Sequence, residues 1–303
     1  MRVSINPLYR CNFRCAYCYL TEKQLSSRQL LDPSTLGKRL AELPEITEVE
    51  VYGGEVTLLP KEYMDALKSH IRTVYAGPIA ITTNLSRVPD WLLEEDYEIN
   101  VSYDFEHRPQ YAQVLNNILM LPKPVSLIIL ATPDVMRGGV KRQADIVRRL
   151  NNVRWIEIKP YSSNQANAAL NSNADYVRYV MEWIVHYDNN RLINVHNLES
   201  VLSRTRNAYS RDHIYITPNG KFGVLEFDLN DREYFKELKN YREFLDWTSH
   251  EYQSVMSMKC KDCPYVGRCL TEHYRRTEGE LGECSGFKTL IDWWVEGAPD
   301  ALP

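Results

Sequence analysis

The sequence predicts an α/β fold, a partial (β/α)6 barrel formed by an open, curved sheet of parallel strands, followed by a small α+β region containing a hairpin and a helix. Three observations carry this. Apolar, β-branched runs alternate with helical periodicity through roughly the first 190 residues. Six such units are too few to close an eight-stranded barrel. Composition then changes after about residue 195, so the chain divides into 1–195 and 196–303.

The six strands are read at 3–6, 49–52, 79–82, 99–102, 125–130 and 155–158. Between them, Asp32 offers a cap and Pro33 a first-turn residue for a helix carrying Leu36, Leu40 and Leu43. Tyr111, Val114, Leu115, Ile118 and Leu119 follow helical spacing, as do Val140, Ala144, Val147 and Leu150, and a further helix is read at 176–187. Strands separated by helices pair in parallel, because parallel neighbours need crossover connections. In the second region, 214–217 and 222–227 flank Pro218-Asn219-Gly220 and read as a β-hairpin, followed by a charged helical stretch. The span 258–283 is rich in Cys, Gly and charge with few apolar runs, as expected of a loop folded around metal.

The 303 residues are 44% hydrophobic and 25% charged, enough for a sizeable core. There is no run of about 18 apolar residues and no signal-peptide pattern, so a cytoplasmic location with no membrane partner is expected. A formal charge of -4 gives no overall attraction to nucleic acid. The seven cysteines suit metal ligands or catalytic thiols rather than disulfides. Three lie within the first 18 residues and four near the end, with none between Cys18 and Cys260, which is not the distribution of core filler.

Cys11, Cys15 and Cys18 follow the first strand, where active-site loops of βα barrels lie. A [4Fe-4S] cluster needs one outside ligand per iron, so three thiolates leave one iron open, able to chelate the amino and carboxylate groups of a methionine moiety. Zinc would want a fourth ligand, and neither Asn12 nor Tyr19 is a good one. This C-x3-C-x2-C pattern, with aromatic Tyr17 before the third cysteine, resembles the radical SAM superfamily. The resemblance implies S-adenosylmethionine as cofactor, an external one-electron donor, and a 5′-deoxyadenosyl radical that takes hydrogen from substrate. Gly53-Gly54-Glu55, after the second strand, is similar to the family motif that holds the methionine amino group: glycines permit close backbone approach to a ligand and the carboxylate complements an ammonium. Asn84, ending the third strand, and Ser102 and Asp104, ending the fourth, are similar to positions that line the cofactor. Ser102 and Asp104 are placed at ribose hydroxyls and Tyr17 near adenine by the same resemblance.

Cys260, Cys263, Cys269 and Cys284 supply enough thiolates to close a metal site. A structural zinc would use the same four. Similarity to the twitch and SPASM extensions of radical SAM enzymes, in which a hairpin and helix precede the cysteines, implies instead a second, auxiliary [4Fe-4S] cluster. Four cysteines match the shorter twitch form, and whether such a cluster is redox-active or structural stays open. With every thiol assigned to a cluster, none remains to return a hydrogen atom, so oxidative outcomes are favoured: crosslinking, dehydrogenation or backbone cleavage. The polar run 159–167 ends the sixth strand at the barrel face and offers Tyr161, Asn164, Gln165 and Asn167 to substrate, with Lys159 and Glu226 as acid and base candidates. The resemblance favours a ribosomally made peptide, with a small molecule such as an aminoglycoside as the alternative. Because the first strand begins by residue 3, a leader-binding module would be a separate partner protein. A non-catalytic metal-binding interaction protein is a third reading, and the open-iron loop beside Gly53-Gly54-Glu55 argues against it.

Overall fold

The computed structural model describes residues 1–161, 173–187, 193–194, 211–225, 235–256, 262–265 and 288–296. Among these residues ten strands form one sheet: β1 (Arg2–Ile5), β2 (Glu48–Val51), β3 (Ile79–Thr83), β4 (Tyr97–Ser102), β5 (Val125–Ala131), β6 (Val153–Pro160), β7 (Ile193–Asn194), β8 (His213–Ile216), β9 (Phe222–Leu225) and β10 (Phe235–Leu238). Their order is β10-β9-β8-β1-β2-β3-β4-β5-β6-β7. All pairs from β8 through β7 are parallel, and the β8–β9 and β9–β10 pairs are antiparallel. The six predicted strands are all present and the sheet is open. The predicted hairpin is β8–β9, and its turn uses Gly220 at φ 69°, a left-handed conformation that suits glycine. This hairpin extends the barrel's own sheet, because β8 pairs along β1. The division at 195/196 itself falls outside the described residues.

The helices are α1 (Glu22–Leu25), α2 (Pro33–Ala41), α3 (Lys61–Arg72), α4 (Tyr111–Met120), α5 (Pro133–Arg137), α6 (Val140–Arg148), α7 (Asn173–His186), α8 (Tyr241–Met256) and α9 (Lys288–Val295). Asp32 caps α2 by accepting from the Thr35 amide at 2.8 Å, as predicted, and Leu36 and Leu40 are buried. Leu43 lies beyond the helix end at Ala41. In α4 the buried edge is Val114 and Ile118, whereas Tyr111 and Leu119 face outward.

Alternation along the strands gives the sheet two unlike faces. Val3, Ile5, Val49, Val51, Ile79, Ile81, Ile99, Val101, Leu127, Ile129, Ile156 and Ile158 belong to one apolar core with helix residues such as Leu36, Leu67, Val114 and Val147. The intervening residues Arg2, Ser4, Glu48, Glu50, Thr82, Glu98, Asn100 and Ser126 are polar and fall on the other face. That second face is concave. The charge of Glu157 on β6 acts on Arg2, and that of Glu50 on Lys159. In a flat sheet β2 and β6 would lie about 19 Å apart.

Candidate active site

The C-terminal ends of β1 to β3 bring two loops together. After β1 the chain runs toward the cysteines, and the loop after β2 lies against it: the amide of Tyr52 donates to Ile5 O, that of Gly54 to Leu8 O and that of Glu55 to Arg10 O, each at 2.9 Å. A β-carbon on Gly53 would stand 2.4 Å from Leu8 O, and one on Gly54 2.1 Å from Arg10 O. Both glycines therefore serve close backbone approach, and the group they approach here is the protein's own lead-in to the cysteine loop. Gly54→Ala is expected to force these loops apart. It should cost at least about 2 kcal/mol, visible as a lower melting temperature, and reduce iron uptake.

Glu55 is fully buried. Its Oε1 accepts from the Thr57 amide at 2.9 Å, the Thr57 hydroxyl at 2.7 Å and the Thr83 hydroxyl at 2.6 Å, and its Oε2 from the Asn84 amide at 2.7 Å. The carboxylate thus ties the β2 loop to the end of β3. The sequence expectation that it complements a ligand ammonium is met by a side chain whose oxygens are already engaged by donors of the fold.

Asn84 carries this connection on to the cysteines. Its Nδ2 donates to Asn12 Oδ1 at 3.1 Å and to Cys11 Sγ at 3.7 Å, and Asn12 Nδ2 donates to Ser86 Oγ at 2.8 Å. The Phe13 amide donates to Cys11 Sγ at 3.3 Å. Arg14 braces the loop from within, its Nη1 donating to the carbonyls of Cys11 and Phe13 at 2.8 and 2.9 Å. Cys11, Cys15 and Cys18 are half-buried and form no disulfide among the described residues. Burial pushes all three thiols up, Cys11 to about 11, so they favour the neutral form until a positive charge is supplied. Two N–H groups aimed at Cys11 sulfur favour thiolate, and hydrogen bonds of this kind are typical of sulfur ligated to iron. Among the described residues no three His, Cys, Asp or Glu side chains converge to hold a single ion. Three soft thiol donors on one loop suit iron as ligands.

On the other side of the loop, Tyr17 OH donates to Asp104 Oδ2 at 2.6 Å. Asp104 is fully buried; it also accepts from Arg108 Nε and Nη2 at 2.9 and 2.5 Å, and from the Leu130 amide at 2.7 Å. A carboxylate so committed is a poor match for the ribose role predicted for it; it fixes the cysteine loop to β4 and β5. Ser102 is half-buried at the end of β4.

Of the predicted substrate residues, Tyr161 is buried just after β6, whereas Asn164, Gln165 and Asn167 lie outside the described residues. So do Glu226, Cys260, Cys269 and Cys284. Cys263 is half-buried near Tyr265, whose hydroxyl donates to Asp292 at 2.6 Å. Lys159 pairs with Glu157 at 3.5 Å. Glu157 and Glu50 hold the pKa of this exposed side chain above the usual lysine value, which suits a standing cation rather than a base.

Two features of this site were not read from sequence: the capping role of Glu55 and the polar set on the concave face. Glu55 caps the short turn 56–58 from two residues before Thr57, a local pattern legible in principle. The concave-face set had a signal too. Thr82 Oγ1 donates to Glu50 Oε1 at 2.6 Å, Ser4 Oγ donates to Glu50 Oε2 at 3.2 Å and shares a hydrogen bond with His213 Nε2 at 2.9 Å, and Arg154 grips Glu98 at 2.9 and 3.0 Å. Polar residues alternate through β1, β2 and β4, whereas parallel strands covered on both faces are apolar throughout.

Fold and site together define an open α/β partial barrel with a three-cysteine loop at the C-terminal mouth of its sheet. Residues 5–103 match the model of the Radical SAM superfamily. No curated protein matches the chain. Among solved structures, anSMEcpe with bound AdoMet superposes with a TM-score of 0.71 at 14% identity, over 98% of this chain and 96% of that one. Native anSMEcpe with bound AdoMet and Cp18Cys peptide gives 0.70 at 13%, over 98% and 96%. Streptococcus suis SuiB bound to precursor peptide SuiA gives 0.59 at 14%, over 96% and 72%. At such identity these likenesses establish the shared fold. Among the described residues no helix is long and apolar enough to cross a membrane.

Proposed function

We propose that this protein is a radical SAM enzyme that oxidatively modifies a ribosomally made peptide. The observation that carries the reading is the three-thiol loop held by backbone hydrogen bonds against Gly53-Gly54-Glu55 at the open mouth of the sheet. Cys11, Cys15 and Cys18 would hold a [4Fe-4S] cluster with one iron left for S-adenosylmethionine. When bound, the pair supplies reductive sulfonium cleavage and a 5′-deoxyadenosyl radical that takes a hydrogen atom from substrate. With Glu55 engaged internally, the carbonyl groups of the glycine loop are the acceptors left for the methionine ammonium, while Ser102 and Tyr17 remain the ribose and adenine candidates. Asn84 acts on Cys11 directly, through its amide N–H.

A peptide substrate is supported by the structural relatives, two of which were solved with peptides. Tyr161, Asn164, Gln165 and Asn167 are the candidates to contact it at the end of β6, with Lys159 as a fixed positive charge and Glu226 as proton acceptor. Cys260, Cys263, Cys269 and Cys284 would hold an auxiliary [4Fe-4S] cluster able to take an electron from the substrate radical. Division of the chain into a barrel over 1–195 and a cluster-binding region over 196–303 belongs to the same proposal.

Anaerobic reconstitution tests it. About four irons per chain are expected from the N-terminal loop and about eight if both cysteine sets hold clusters. Reductant and S-adenosylmethionine should then release 5′-deoxyadenosine. A fully loaded protein that releases none, with or without candidate peptides, would overturn the catalytic reading. About four irons plus one zinc would remove the auxiliary cluster.

A further inference from the structure

We propose that Asn84 is a positioning residue that aims an amide N–H at the sulfur of Cys11 and raises the reduction potential of the cluster held there. This rests on the reading that Cys11, Cys15 and Cys18 bind a [4Fe-4S] cluster.

The direction of the Asn84 amide is fixed by its partners. Its Oδ1 accepts from the Ser86 backbone amide at 2.9 Å, and because a backbone N–H can only donate, the NH2 end must face the other way. That end donates to Asn12 Oδ1 at 3.1 Å and to Cys11 Sγ at 3.7 Å. Asn12 is held in turn, its Nδ2 donating to Ser86 Oγ at 2.8 Å. The donor to sulfur thus comes from a residue 73 positions away in the chain, and it joins the Phe13 amide, which donates to the same sulfur at 3.3 Å.

The turn that presents Asn84 is unusual. Leu85 has φ 51°, a left-handed conformation that leucine rarely adopts, and its side chain is fully buried. Hydrogen bonds from several elements hold the chain there. The Asn84 amide donates to Glu55 Oε2 at 2.7 Å and the Leu85 amide to Thr83 Oγ1 at 2.9 Å. From α4, Asn117 Nδ2 donates to Leu85 O at 2.8 Å and Gln113 Nε2 to Ser86 O at 3.2 Å. The β2 loop, the end of β3 and α4 therefore converge on the orientation of one side chain. Asn84 is only 6% exposed, so water screens its amide dipole little. Reduction adds negative charge to a cluster and its thiolates, and an N–H pointed at a ligating sulfur stabilises that charge. Loss of this N–H favours the oxidised state.

The test is a redox titration of reconstituted protein at about pH 8, where aspartate is ionised, in a Cys263→Ala background so that one cluster is observed. The electron paramagnetic resonance signal of the reduced N-terminal cluster follows it. Asn84→Asp keeps the oxygen that accepts from Ser86 and removes the N–H, so the midpoint potential should shift negative. Asn84→Leu is close in size, removes both polar ends and should shift it the same way. Ser86→Ala loses the hydroxyl contact with Asn12 and should change the potential less than either. Iron content and circular dichroism are measured on each variant. In the parent, nitrogen-15 labelling of asparagine side chains should alter a nitrogen coupling of the reduced cluster in electron nuclear double resonance, and Asn84→Asp should lack that coupling. Equal potentials in Asn84→Asp and the parent, at equal iron content, would overturn the proposal. So would a shift in Ser86→Ala as large as that in Asn84→Asp. If Asn84→Asp loses iron, Asn84→Leu takes its place in both comparisons. If both lose iron, the parent decides, and a spectrum unchanged by the label overturns the proposal. Absence of any cluster in the parent would instead count against the cluster assignment itself.

Discussion

Replacing Cys15 with alanine is expected to lower 5′-deoxyadenosine formation to less than roughly one-thousandth of the unaltered level and to remove about four irons per chain. The reason is ligand count. Three thiols leave one iron open; two leave a second iron without a protein ligand, on a loop that offers no replacement carboxylate or imidazole between residues 11 and 20. Folding should be little affected, because a half-buried thiol is exchanged for a methyl group, a change of about 1 kcal/mol or less. Cys263→Ala is the matching control. It is expected to lose iron from the C-terminal set while 5′-deoxyadenosine still forms, and to impair product formation only. Iron analysis and chromatography of the nucleoside check both. A Cys15→Ala protein that still cleaves S-adenosylmethionine would end the assignment of the N-terminal loop.

Glu55→Gln has the largest expected effect on stability, about 2–4 kcal/mol, or roughly 5–10 °C in melting temperature. Four donors converge on the native carboxylate. An amide keeps one oxygen and turns an NH2 group toward one of those donors, leaving it unsatisfied inside the fold. The damage should reach the cysteine loop, because the backbone amide of Asn84 is one of the four donors and its side chain touches Cys11 sulfur. Thermal denaturation with and without iron checks this. A melting temperature within about 1 °C of the parent would mean that the carboxylate is free for ligand, as the motif alone implies.

These two residues illustrate how differently the parts of the site were legible. The cysteine loop reads directly from sequence because its chemistry is local: three ligands within eight residues, with the count itself excluding a closed zinc site. Gly53-Gly54-Glu55 was legible as a motif but not as a mechanism. What a glycine makes room for and what a carboxylate accepts depend on neighbours distant in sequence, here Tyr9 and Arg10 for Gly54 and Thr83 and Asn84 for Glu55. Asp104 followed the same course, found by position and then seen bound to Tyr17 from 87 residues earlier in the chain. Arg108 carried no signal, since an arginine in a surface-like loop is ordinary until a buried carboxylate claims it.

The sequence by itself determined the α/β class, the six parallel strands, the hairpin and the three-thiol loop, because periodicity, turn chemistry and ligand spacing act over a few residues. Only the tertiary structure decided that the hairpin joins the barrel sheet along β1, that β6 faces β1 and β2 across a concave polar surface, and that the second loop's glycines and carboxylate hold the first loop in place. Strand order, curvature and the satisfaction of buried polar groups are properties of residues far apart in the chain, and they are settled only when those residues compete for the same space and the same hydrogen bonds.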